Sequence, residues 1–205
     1  QAEENMYRQK LNESRSIRHA LITFLEESLQ ETTQETKEHS MRLQEMAQQM
    51  GQVLHLSFHQ LIELDLLARL HDLGKIAIPQ NILNKPGPLS PEEWEKVKQH
   101  PEIGYRIAQS SPDLISIGES ILVHHERWDG LGYPRGIKGE EIPLNARIIT
   151  IIDAYDVMVN GRPYKNPMTP EEALNELQKN AGTQFDPNLV KLFLQIIKGD
   201  QKDLG

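Results

Sequence analysis

Apolar residues recur along this chain with helical spacing, and the elements they predict are helices. From Gln1 to about Thr33 the composition is polar and charged, but Ile17, Leu21, Leu25 and Leu29 recur at four-residue steps, with Phe24 on the flank of the same stripe. This predicts an amphipathic helix, either a first core helix or a connector that dimerises and relays a signal from an upstream sensor. The next helix carries Leu43, Met46, Ala47, Met50, Val53 and Leu54 on one face. Counting back in fours from Leu43 reaches His39 and then Glu35, so two polar residues prolong an apolar stripe. Leu61 to Arg69 predicts a mostly buried helix that delivers His71-Asp72 to the interior.

After a Pro/Gly-rich turn at Asn84–Pro88, Ser90-Pro91-Glu92-Glu93 predicts a helix start with a capping box and proline at the first helical position. Pro101 predicts its end, which puts His100 at a helix C-terminus. Asp113 to Val123 predicts another helix, running into His124-His125-Glu126 and then the glycine- and proline-rich loop Arg127–Gly136. Such a loop is a connector or a ligand rim. Leu144 to Met158 is a long apolar helix that contains Asp153 and Asp156, and two acids in such a run need partners. Helices capped by Thr169-Pro170-Glu171-Glu172 and started by Asp186-Pro187 complete an all-α chain.

At 205 residues the length suits one domain with an appendage, divided here into a connector helix, 1–34, and a helical domain, 35–205. A net charge of −8, from 30 acidic and 22 basic residues, argues against a nucleic-acid polymer as partner. The absence of cysteine excludes thiolate metal sites and disulfides, and suits a reducing compartment. No apolar run approaches the roughly 20 residues of a membrane span. The first residue is Gln1, so the chain is expected to be a fragment of something longer, with a cytoplasmic location.

Glu35, His39, His71, Asp72, His100, His124, His125 and Asp153 all carry metal-binding side chains at helix ends or on apolar faces, and five of the chain's 8 histidines are among them. Each has an ordinary reading alone: Glu35 as a first-turn residue, His100 as a dipole-paired imidazole. Together they exceed the ligand needs of one ion. Imidazole and carboxylate without thiolate favour Mn, Fe, Ni or Zn over Ca or Mg, and adjacent ions are suited to phosphoryl transfer.

The chain from about Glu35 to Ile197 resembles the HD-GYP family of bacterial cyclic-dinucleotide phosphodiesterases, a branch of the HD phosphohydrolases. The resemblance rests on Glu35–His39, His71-Asp72-Leu73-Gly74-Lys75, His100–Gly104, His124–Pro134, Asp153-Ala154-Tyr155-Asp156 and Gly161–Lys165. It implies an all-α HD-domain helical bundle that opens cyclic di-GMP to linear pGpG, and in some members continues to GMP. It implies His39, His71, Asp72 and Asp153 around one ion, and Asp72 bridging to a second held by His100, His124 and His125. Glu35 matches a position that helps hold a third ion in a subset of members. Fe or Mn are the expected metals, with Ni, Zn or Mg as alternatives, and a hydroxide between the ions is the expected nucleophile. Lys75 would face the scissile phosphate, and Tyr133, Arg162 and Lys165 match substrate-contacting positions. The Gly-Tyr-Pro loop matches a docking surface proposed for cyclase (GGDEF) domains, and the N-terminal helix offers a homodimer contact. Two alternatives stand beside this reading: a phosphodiesterase for another cyclic dinucleotide such as cyclic GMP-AMP, and a catalytically weak scaffold.

Overall fold

The structure, a computed structural model, describes the backbone of residues 2–33, 36–161 and 166–200, and side chains within them from 16 to 199. Among the described residues it is all-helical, with no β-strand. The helices are α1 (Ala2–Thr32), α2 (Lys37–Val53), α3 (Phe58–Leu70), α4 (Gln80–Leu83), α5 (Pro91–Val97), α6 (His100–Gln109), α7 (Ile115–Val123), α8 (Leu144–Asn160), α9 (Pro170–Lys179) and α10 (Pro187–Asp200). A 3-10 turn, Leu73–Ala77, follows α3 directly. Expectations placed on Glu35, Arg162 and Lys165 lie outside the described residues.

Burial of the predicted apolar stripes builds one main core. Leu43 and Met50 of α2, Leu67 and Leu70 of α3, Ile121 of α7, Ile149 and Ile152 of α8 and Phe193 of α10 are all fully enclosed there. Burying side chains of this size stabilises by about 1.5–3 kcal/mol each. The predicted caps hold, Ser90 with Glu93 and Thr169 with Glu172 each forming a capping box, and Ser57 with Gln60 adds a third at the start of α3.

Three expectations are corrected. His100 does not end a helix. The chain turns at Lys98-Gln99 and restarts, so His100 is the first residue of α6 and Pro101 occupies its first turn, where a missing N–H costs nothing. On α1 the buried residues are Ile22 and Leu29, while Ile17 and Phe24 are 69% and 63% exposed. The helix rests mainly on α3 and the 3-10 turn, and the side that carries Ile17 and Phe24 is left in solvent. Val53, in the last turn of α2, is also exposed, because the chain leaves the core at the following turn.

Two glycines let the element ends meet. A Cβ on Gly74 would overlap the His100 carbonyl and the Gly104 backbone nitrogen, and one on Gly104 would lie 2.8 Å from Ile121 Cγ2. The 3-10 turn therefore lies directly against the first turns of α6, and Asp72 is brought beside His100. None of the described helices is long and apolar enough to cross a membrane.

Candidate metal centre

Five helices and a 3-10 turn start, end or pass at one place. His39 stands in the first turn of α2, which Thr36 caps by accepting the His39 backbone N–H at 3.2 Å. His71 caps the C-terminus of α3, and Asp72 opens the 3-10 turn. His100 starts α6, His124 caps α7 with His125 next to it, and Asp153 projects from the middle of α8. The ligand atoms form two groups, each with its members within 4.8 Å of one another: Asp72, His100, His124 and His125, and His39, His71 and Asp153. Asp72 stands between them, with Oδ1 3.0 Å from His100 Nε2 and Oδ2 3.4 Å from His71 Nε2.

Helix ends aim the imidazoles. The last carbonyls of a helix lack intrahelical partners. Val97 O, at the end of α5, accepts from His100 Nδ1 at 2.7 Å, and Ile121 O, in the last turn of α7, accepts from His124 Nδ1 at 2.6 Å. His71 Nδ1 lies 3.4 Å from Ala68 O in the same relation. A proton committed to Nδ1 leaves Nε2 as a lone pair. Thr150 Oγ1 of α8 donates to His124 O at 2.7 Å and pins the end of α7.

This arrangement fits cations. His100 Nε2 and His124 Nε2 face each other at 3.4 Å with both Nδ1 protons already given to carbonyls, so two lone pairs converge. His125 Nε2 joins them 3.2 Å from His100 Nε2. Asp72 Oδ1 is buried among these nitrogens without a hydrogen bond in acceptable alignment, despite the short approach of His100. Such a cluster of buried acceptors repels itself until a positive charge enters.

The protonation states agree. Burial pushes the Asp72 carboxyl up, but the Lys75 ammonium paired with it outweighs this and holds the group well below the usual carboxylate range. Burial pushes the His124 and His125 imidazoles down; for His125 its neighbours His124 and His100 add to the effect. Both are therefore neutral at pH 7, as metal ligands must be. Lys75 Nζ pairs with Asp72 Oδ2 at the edge of the centre.

The Gly-Tyr-Pro loop forms one wall. Tyr133 stacks on His125, with ring centroids 4.9 Å apart and 25° between planes, and makes a T-shaped contact with Trp94 at 6.5 Å between centroids. Glu126, buried beside His125, accepts the backbone N–H of Arg135 at 2.6 Å and of Gly136 at 3.0 Å. A Cβ at Gly132 would strike the backbone of His125 to Arg127, so the loop folds directly onto that backbone. Sequence reasoning left three contributors without a role: Glu126, Trp94, and the Arg42–Asp156 pair beside His39. An acid in the apolar run of α8 was the available signal for Asp156.

An HD-domain family model matches residues 23–189. A cyclic di-GMP phosphodiesterase of Thermotoga maritima is 46% identical over 155 residues, 75% of this chain and 41% of that protein. A 3'3'-cGAMP-specific phosphodiesterase 2 of Vibrio cholerae is 43% identical over 128 residues, 62% of this chain and 24% of that protein. The chain thus spans less than half the length of these relatives. Among solved structures, a cyclic GMP-AMP specific phosphodiesterase of V. cholerae superposes with a TM-score of 0.68 at 24% identity, over 87% of this chain and 48% of that one, which shows a shared fold. With its family model covering most of the described core and the His-Asp pair at the centre of the cluster, the chain belongs to the HD-domain family, as the HD-GYP resemblance of its motifs leads one to expect.

Proposed function

We propose that the chain is a metal-dependent phosphodiesterase that opens cyclic di-GMP to linear pGpG. The observation that carries this reading is the pair of adjacent donor groups with Asp72 standing between them. His39, His71 and Asp153 would hold one divalent transition-metal ion, Fe or Mn by preference, and His100, His124 and His125 a second. When bound, such ions supply Lewis-acid polarisation of the phosphoryl oxygens and a nucleophile at neutral pH. Lys75 sets a cation where the phosphate charge develops, held in place by Asp72. Tyr133 walls the site beside His125, and Arg162 and Lys165 bind substrate phosphate. Glu35, four residues before His39 in the sequence, adds capacity for a third ion, which would favour the second cut to GMP.

A second reading, hydrolysis of cyclic GMP-AMP, is favoured by the name of the 43% identical V. cholerae relative. Both dinucleotides present the same phosphodiester ring to the same centre. The test is metal analysis of the purified protein, followed by chromatography of products from each dinucleotide side by side. Stoichiometric transition metal with pGpG from cyclic di-GMP supports the first reading; turnover of cyclic GMP-AMP alone supports the second. A protein holding no metal and cutting neither is a scaffold.

The second half of α1 is read as part of the catalytic domain rather than of the connector, since Ile22 and Leu29 are buried and Glu26 pairs with Arg69 at 2.5 and 2.7 Å. The preceding part remains the proposed connector and homodimer contact, with its exposed Ile17. A cytoplasmic setting and a cyclase-domain partner at the Gly-Tyr-Pro loop, where Leu131 is 79% exposed, complete the proposal.

A further inference from the structure

Asp156 belongs to neither donor group, yet it is almost wholly buried and saturated with hydrogen bonds. Its Oδ1 accepts from Arg42 Nε at 2.5 Å and from Asn160 Nδ2 at 2.9 Å. Its Oδ2 accepts from Arg42 Nη2 at 2.8 Å and meets His39 Nδ1 at 2.7 Å. An ionised carboxylate only accepts, so the proton in the last contact belongs to Nδ1. His39 Nε2 then carries the lone pair, 3.6 Å from Asp153 Oδ1.

His39 needs this help for a reason set by its place in the fold. His71, His100 and His124 find acceptors among carbonyls at or near helix C-termini. His39 is in the first turn of α2, where the backbone groups left over are N–H donors. The carbonyl three residues back, Thr36 O, which corresponds to the acceptors of His71, His100 and His124, accepts from Ser40 N. The acceptor comes instead from a side chain on another element, Asp156 of α8.

We infer that Asp156 is a positioning residue that fixes His39 as the Nδ1-protonated tautomer and so presents Nε2 to the ion held with His71 and Asp153; this rests on the reading of those three residues as ion ligands. Arg42 serves the carboxylate: its two nitrogens orient both oxygens, and Asp156 in turn joins α2 to α8.

Replacing Asp156 by asparagine separates this role from mere bracing. One carboxylate oxygen becomes an NH2 donor. Placed at Oδ1, that donor would face Arg42 Nε and Asn160 Nδ2, two donors against a donor. Placed at Oδ2, it opposes only one, Arg42 Nη2, provided His39 moves its proton to Nε2 and accepts at Nδ1. The second placement is therefore favoured, and it blocks the ligand atom.

The experiment compares the metal-free full chain with Asp156→Asn and Arg42→Met by long-range 1H–15N NMR of the imidazoles, then titrates each with Mn(II) by calorimetry. We expect the His39 proton on Nδ1 in the native protein and in Arg42→Met, and on Nε2 in Asp156→Asn. One of two Mn(II) sites should weaken roughly 10- to 100-fold in Asp156→Asn, with the helical circular dichroism retained. A native proton on Nε2 overturns the inference, and that spectrum decides even if Asp156→Asn does not fold. So does a His39 tautomer unchanged in Asp156→Asn, unchanged Mn(II) affinity with a changed tautomer, or a switch in Arg42→Met as well. If the native chain binds no Mn(II) at His39, His71 and Asp153, the tautomer spectra still decide what Asp156 does, and it is the metal reading that fails.

Discussion

The two donor groups lie side by side but are held by different means. Around Asp72, the histidines of α6 and α7 are aimed by main-chain carbonyls, and the approach of the turn to α6 is set by Gly74 against backbone. Around Asp153, His39 is aimed by a carboxylate from another helix, itself oriented by Arg42. A backbone acceptor cannot be removed by substitution; a side-chain acceptor can. The first group is therefore exposed chiefly to changes that move whole elements, and the second, through His39, to single replacements at some distance from the donor atoms.

The substitution expected to have the largest effect removes what the groups share. Asp72→Ala should lower hydrolysis by on the order of 10³-fold or more, about 4 kcal/mol of transition-state stabilisation. Metal content should fall at both groups while helical circular dichroism survives. Full activity in this variant would dissolve the two-group picture.

Gly74→Ala tests the backbone-held group alone. The new methyl has no room against His100 O, so the turn and α6 must part, at a cost of about 2–4 kcal/mol in unfolding free energy. Denaturant melting should show it. Metal titration should show loss at the histidines of α6 and α7 before loss at His39. Equal weakening of both would mean that the groups are not held independently.

Acid should strain the metal-free protein in two stages. The His124 and His125 values are depressed by burial, so the unfolded chain takes up protons first as pH falls below its ordinary imidazole value of about 6.5. Stability is fully present above that pH and declines until the folded values are passed. The lowered Asp72 carboxyl has the same sign and adds its loss below about 3.9. Each unit of depression is worth about 1.4 kcal/mol. Urea melts at pH 7.5, 6 and 5 would measure the first stage; a flat profile would show that the imidazoles are not held neutral.

The smallest effect concerns the wall. Glu126→Ala leaves two loop N–H groups without their acceptor, about 1–3 kcal/mol, whereas Glu126→Gln keeps an acceptor oxygen. The alanine variant should raise KM severalfold through Tyr133 with metal content unchanged, and the glutamine variant should do so much less. Lost metal in either would make Glu126 part of the ion-holding frame instead.

What was legible beforehand follows from range along the chain. Caps such as Ser90 with Glu93 are local, and both the boxes and the donor residues could be read from spacing. The misreading of His100 came from a proline that signals a stop at the preceding residue and a start at its own; which one prevails depends on whether the chain turns back, and it does so at Lys98-Gln99. The motif resemblance singles out Asp153 among the acids of α8, but the pairing of Asp156 with Arg42 is a contact 114 residues apart, and no local pattern carries that. The exposed edge of α1 was invisible for the same reason: helical period reveals a stripe, not how much of it a neighbour covers.

The absence of a side chain at Gly74 has one more consequence. Because the turn bearing Asp72 touches α6 main chain to main chain, the spacing between Asp72 and His100 is set by the thickness of two backbones and not by the volume of any residue packed between them. The hydrophobic interior is thereby insulated from the chemistry. Leucine, isoleucine and methionine can exchange in the core as lineages diverge, and the gauge between these two donors stays the same.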